Sequence, residues 1–358
     1  MKSSLSGFLK RKDIVFSLQR YGIDAMSAMA QGLFCTLLVG TILDTLGTQF
    51  HISCLTANVV EIAGKGYTVG KLASAMVGPA MAAAIGSALG AGGLVLFSLI
   101  PVGYATNLLG GAGGPFAVYV VAIAAAEIGK AVSKETRIDI LVTPLVTILA
   151  GIGLASVVAG PIGKAAGWVG DLIMWSTELH PFMMGVLVSA LVGIALTLPI
   201  SSAAICAGLG LTGLAGGAAV AGCCAQMIGF AVMSFRENRW GGLVSQGIGT
   251  SMLQMGNIIR NPRIWAAPIL TSMITGPVAT CIFRMEMNGA AVNSGMGTCG
   301  LCGPIGVWTG WSLSGKVPAS SDWLGLVLIC FVLPAIICFL LGEFFRRAGW
   351  IREGDLKL

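Results

Sequence analysis

"GMGTCGLCGPIG", residues 295–306, sets a C-x-x-C pair, Cys299 and Cys302, inside a run of glycines. Read by its cysteines, the stretch is a redox or metal site. Read by its glycines, it is irregular backbone in an apolar chain. The surroundings decide. The 358 residues are 56% hydrophobic and only 10% charged, where a soluble domain carries about 25% charged residues, and the mean hydropathy is +0.89. Stretches near the roughly 20 residues that cross the hydrocarbon core recur at 23–46, 72–89, 91–109, 116–132, 140–159, 181–200, 218–235, 265–283 and 323–341. The chain reads as an all-α polytopic membrane protein with about ten transmembrane or half-spanning helices.

Glycine is the second signal, with 52 residues. Clusters lie at 109–115 ("LGGAGGP"), 208–217 ("GLGLTGLAGG") and in the opening stretch. Non-helical backbone at membrane depth survives only where it is buried in protein or lines a wet cavity. These clusters therefore predict re-entrant Gly-rich hairpins, a device of transporters and channels. A Gly-rich loop, a span, a charged connector and a proline-marked span follow one another from 110 and again from 213. This is either an internal repeat of the kind secondary transporters carry or a chance echo.

The cysteines fit a structural role. A zinc site needs four ligands, the other eight cysteines are scattered, and neither His51 nor His180 is near in sequence. Free Cys in an apolar span behaves as a small hydrophobe. No metal and no cofactor is expected. Walker A, H-E-x-x-H and G-x-S-x-G patterns are absent, so no catalytic residues are expected and ATP is not the driving force within this chain.

Candidate substrate-binding residues form three groups. The loop 288–306 offers Asn288, Asn293, Gly295, Gly297 and Thr298, which suit a polar uncharged ligand or, alternatively, a tight structural hairpin. "WSTELHPFMMG", 175–185, places Glu178 and His180 just before a span; ionisable groups at membrane depth are functional candidates, and the alternative is a wetted interfacial pair. Trp175 beside them reads as an aromatic-belt residue. Asn107 and Gln226 border Gly-rich clusters and could line a cavity. Glu127 reads as an i,i+3 partner of Lys130. Arg236, Arg260 and Arg284 are available cations and read as interfacial.

Lys10, Arg11, Lys12 and Arg20 near the start and Arg346, Arg347 and Arg352 near the end put both termini in the cytoplasm by the positive-inside rule. The organisation expected is a cytoplasmic amphipathic leader (1–21), an N-terminal transmembrane scaffold or interface domain (22–168), a transport domain with the hairpins (169–345) and a cytoplasmic tail (346–358). The net charge of +6 suits anionic lipid at the inner face of the bilayer, not nucleic acid.

"TELHPFMMGVLVSALVGIALTLPISSAAI" (177–205), "MSFRENRWGGLVSQGIGTSMLQMGNIIRNPRIWAAPIL" (233–270) and the opening stretch resemble the EIIC membrane proteins of the bacterial phosphotransferase system. The resemblance covers roughly residues 12–345 and is nearest to the stand-alone branch that includes perfringolysin-regulator-like proteins. It implies a homodimeric sugar translocator in the bacterial plasma membrane, served by separate EIIA and EIIB phosphocarriers. It also implies that His180, and less directly Glu178, touch sugar hydroxyls. The G-I-T-E-P stretch of glucose-type relatives is absent, and "GMGTCGLCGPIG" stands near its place. Two alternatives stay open: an EIIC-like membrane sensor, and a transporter of another small solute such as an organic anion.

Overall fold

The computed structural model describes residues 2–62 and 64–358. The chain divides into two compact units, Met1–Ala165 and Ala166–Leu358.

The first unit opens with α1 (Lys2–Arg11) and the long helical run α2 (Gln19–Thr48). A small exposed antiparallel pair follows, β1 (Val60–Ile62) with β2 (Lys65–Tyr67), in register Val60 to Tyr67. Among the described residues it is the one two-stranded sheet; a single bridge, Gly213 with Met287, is a second departure from helix. Helices α3 (Val69–Ala75) and α4 (Val77–Ala88) are bent by 49° at their junction. Next come α5 (Gly93–Gly110), α6 (Gly114–Val132) and α7 (Asp139–Thr177), the last of which continues past Ala165 into the second unit. At Gly111 the backbone turns with φ +50°, a conformation that glycine adopts without strain. There α5 and α6 fold back as an antiparallel hairpin: Val95 at the start of α5 lies against Gly129 at the end of α6. Where α4 crosses α5, a Cβ on Gly78 would stand 2.3 Å from the Gly103 carbonyl oxygen. Only paired small residues let helix backbones meet this closely.

The leader is tied down by charge. Arg20 donates to both carboxylate oxygens of Asp13. Arg11 and Lys12 converge on Glu135 Oε1 at 2.7 and 2.5 Å. Lys130 is buried; its Nζ donates to the Asp13 and Leu89 carbonyls and lies 3.1 Å from Glu127, the i,i+3 pairing expected.

The second unit contains α8 (Pro181–Thr197), α9 (Ser202–Gly208), α10 (Gly213–Met233), α11 (Phe235–Val244) and α12 (Met255–Arg260). Helix α13 (Pro262–Ile282), α14 (Cys302–Leu313) and α15 (Ser320–Arg347) complete it. Helix α10 is the enclosed centre of this unit, with 89% of its apolar window buried. Its Gly222 sits on the Ser189 carbonyl of α8, and Gly276 of α13 on that of Gly185; an added Cβ would come within 1.9 and 2.0 Å.

Among the described residues six helical runs are long and apolar enough to cross a bilayer, or seven with the bent pair; this is short of the ten expected. The reasons are local. The stretch 140–159, expected as one span, is part of a single 39-residue helix, α7, that runs on to Thr177. The run Gly93–Val132 counts once yet folds back on itself at Gly111. Helix α8, with 17 residues, is shorter than the others.

Candidate functional site

The two Gly-rich stretches singled out in the second unit meet. Along "FRMEMN", Phe283–Asn288, the side chains alternate: Arg284, Glu286 and Asn288 are exposed, Met285 and Met287 buried. That period of two is the signature of a half-buried strand. It pairs with the chain just before α10, since the Gly213 and Met287 amides each donate to the other's carbonyl at 2.9 Å. The chain turns into this segment at Arg284, a non-glycine with φ +46°, before the bridge at Met287. The following 3-10 turn, Ala291–Gly295, docks on α9: Ser202 Oγ donates to the Gly295 carbonyl (2.7 Å) and Ser294 Oγ to that of Leu211 (2.6 Å). One face of α14 carries Gly303, Gly306 and Gly310, which receive Gly297, Asn293 and Asn288. The glycines of the opening stretch thus let a helix and a folded strand share one layer.

At the outer edge of this layer lies a cavity of about 300 Å³, at the lower end of the range for small-molecule sites. Arg284, Glu286, Asn288, Trp311, Lys316 and Asp322 contribute to its wall. Asn288 Nδ2 donates to Glu286 Oε2 at 3.0 Å. Lys316 is held 2.8 Å from Asp322, whose other oxygen accepts from the Ala319 amide. Trp311 is fixed edge-on to Trp323, with ring centroids 5.0 Å apart. An amide, two carboxylates and two cations beside an aromatic ring can take a hydroxylated solute by bidentate hydrogen bonding.

The nine residues singled out in the sequence do not form one site. Asn288 lines the cavity. Asn293, Gly295, Gly297 and Thr298 belong to the packed layer behind it, where Gly295, Gly297 and Thr298 are buried and Thr298 Oγ1 points at Met227 Sδ, 3.6 Å away. Gln226 lies deeper, in a saturated polar cluster. Its Oε1 accepts from Trp265 Nε1 (2.8 Å) and Thr197 Oγ1 (3.2 Å), and its Nε2 donates to Ser272 Oγ (3.4 Å). Glu178 and His180 are exposed at the start of α8. Asn107 lies in the first unit, wedged by Gly78 and Gly114. The sequence reading missed Glu286, Trp311, Lys316 and Asp322 and placed Arg284 at an interface. The alternation in "FRMEMN" was the available signal. Cys299 and Cys302 are buried, and no three potential metal ligands converge among the described residues.

No curated protein and no solved structure matches the chain. The family model for the phosphotransferase system EIIC component matches residues 23–358, which takes in both units almost entirely, the paired Gly-rich segments and the cavity. This multi-pass membrane chain belongs to the phosphotransferase system EIIC family.

Proposed function

We propose that this EIIC component moves a sugar or a related polar solute across the bacterial plasma membrane by alternating access. Separate EIIA and EIIB proteins supply the phosphoryl group. The observation that carries the reading is the 284–288 segment, which delivers three polar side chains to one cavity beside Trp311. Irregular backbone of this kind, held between helices rather than against lipid, is how transporters build a solute site. The chain's own part is to bind and orient hydroxyls and to exclude lipid; the phosphoryl chemistry belongs to the carriers. Homodimerisation, which the family resemblance implies, is part of the same proposal.

A thermal-shift screen of the purified protein against sugars, polyols and sugar acids tests it. A stabilising solute should lose about five- to hundred-fold in affinity on Asn288→Ala, the cost of one hydrogen bond to a buried polar group. His180→Ala, run beside it, tests the exposed pair. Loss on His180→Ala alone would move the site to the start of α8; no stabilisation by any of these solutes would overturn the reading. A solute that binds yet is not carried into proteoliposomes would point to a sensor.

One observation favours a second substrate class. Lys316 is neutralised by Asp322, whereas Arg284 and Glu286 reach the same cavity with no ion pair to each other or to other groups among the described residues, which leaves the Arg284 guanidinium open to a solute anion. That arrangement suits a solute carrying an acidic group, and Arg284→Gln should then weaken a sugar acid more than the parent sugar.

A further inference from the structure

Beyond the end of α15 the chain turns back. Gly349 (φ +73°) and Gly354 (φ +89°) take left-handed conformations, and residues 348–358 lie against the link that joins α10 to α13. The polar contacts are mostly side-chain amides of the link on backbone groups of the returning segment. Asn238 Nδ2 and Gln254 Nε2 both donate to the Leu356 carbonyl, at 2.7 and 3.0 Å. Asn257 Nδ2 donates to the Lys357 carbonyl at 2.9 Å, and Asn261 Nδ2 to that of Trp350 at 2.8 Å. The Leu358 amide donates in turn to Asn238 Oδ1 at 2.9 Å. One contact is to a side chain, Asn261 Nδ2 to Asp355 Oδ2, at 2.7 Å. Two apolar side chains are anchored: Leu356 is fully buried and Ile351 nearly so. Trp350 stacks on Phe345, with centroids 4.9 Å apart, under the Arg263 guanidinium.

The socket is braced from behind. Gln246 Oε1 accepts from Gln254 Nε2 at 2.8 Å, Gln254 Oε1 accepts from Asn257 Nδ2 at 2.8 Å, and Gln246 Nε2 donates to Ser234 Oγ at 2.7 Å. Gln254 and Asn257 are therefore oriented by bonds within the link as well as by the returning segment. The link itself is irregular: Arg239 is left-handed (φ +52°), Ser245–Gly249 is a π turn and Thr250 is extended. Asn238 lies before this irregular stretch, and Gln254, Asn257 and Asn261 lie after it. The segment spans the deformable part of the link as a staple.

We propose that residues 238–261 form a peptide-binding socket whose occupant is the chain's own segment 348–358, and that this segment is a releasable latch on the α10–α13 link. Recognition rests on backbone carbonyls and one leucine pocket, so the same segment supplied as a free peptide competes for the site. Release leaves α10 packed and frees the link to change its bend.

Hydrogen exchange of the wild-type full chain is the first arm. The amides of Asp355 and Lys357 should exchange at least about a hundredfold faster than those of α10, by local opening. Exchange in step with α10 would show an integral part of the core and overturn the proposal. The second arm uses a labelled synthetic peptide of sequence 348–358 with full-length Leu356→Asp, whose own segment is displaced. Saturable binding is expected, at least about tenfold weaker when Asn238 and Asn257 are also alanine, since each amide bond made to the backbone is lost. Absence of binding to folded Leu356→Asp would overturn the socket. Should Leu356→Asp not fold, the first arm decides alone.

Discussion

A methyl group added at Gly222 would stand 1.9 Å from the Ser189 carbonyl oxygen, and one at Gly217 would stand 1.8 Å from that of Met285. Neither neighbour is a flexible side chain that could swing away, so helix or strand must shift. Gly222→Ala should destabilise by about 1–3 kcal/mol or more, the cost of overpacking. Gly153→Ala in α7, with nothing within 4 Å of the added atom, should be neutral or gain up to about 1 kcal/mol. Denaturation midpoints in detergent read both; equal midpoints would refute the close approach. Charge at single residues sets a pH response in the leader. The hydrogen bond from Lys12, with Arg11 beside it, holds the Glu135 carboxyl below the usual range, and the hydrogen bond from Arg20 does the same for Asp13. Both groups titrate lower folded than unfolded. Their contribution is therefore full above the ordinary carboxylate range and is lost as pH falls through the depressed values. Hydrogen exchange of residues 8–18, corrected for intrinsic rate, should be unchanged from about pH 7 to about pH 6 and rise near about pH 3. Glu135→Gln should bring part of that rise to neutral pH; an unchanged profile would refute the tie.

Among the elements, long apolar stretches were legible because nothing but a helix satisfies their backbone in lipid. The strand in "FRMEMN" was not, because five residues beside a glycine run give too short an alternation to stand out from a loop. It exists because Gly213 and Gly217 of the other Gly-rich stretch supply its partner, a contact 70 residues away in sequence. The same holds for Gln226: sequence marks it as polar in an apolar helix but cannot show that Trp265, Thr197 and Ser272 saturate it. Cys299 and Cys302 were read from composition as small apolar residues, and both are buried. Helix α7 was misread because Lys164 and Asp171 interrupt its hydropathy, although charges on one face of a helix do not end it.

For the whole molecule, charge is unevenly spread. Segments 234–263 and 343–358 hold eight basic and four acidic residues, which leaves four of the six net positive charges on the link and the returning segment. The positive-inside rule predicts a cytoplasmic side for these stretches, and separately for the basic leader with Lys130, Lys134 and Arg137, an expectation that labelling tests. In a cysteine-free background, Lys134→Cys and Lys357→Cys should react with an impermeant thiol reagent in inside-out vesicles and stay silent in intact cells; labelling from outside would invert the topology. Helix α7 bears on the bilayer itself. At 1.5 Å per residue its 39 residues reach about 58 Å, and even at a 40° tilt they cover about 44 Å of a hydrocarbon film of about 30 Å. Lys164, Trp168, Asp171 and Trp175 are all exposed and fall along one stripe of its second half, the residue types that rest among headgroups. A helix seated there adds cross-section to one leaflet and none to the other. A chain seated that way would press unevenly on the two leaflets, and bending stress in the lipid would then favour or oppose the seat.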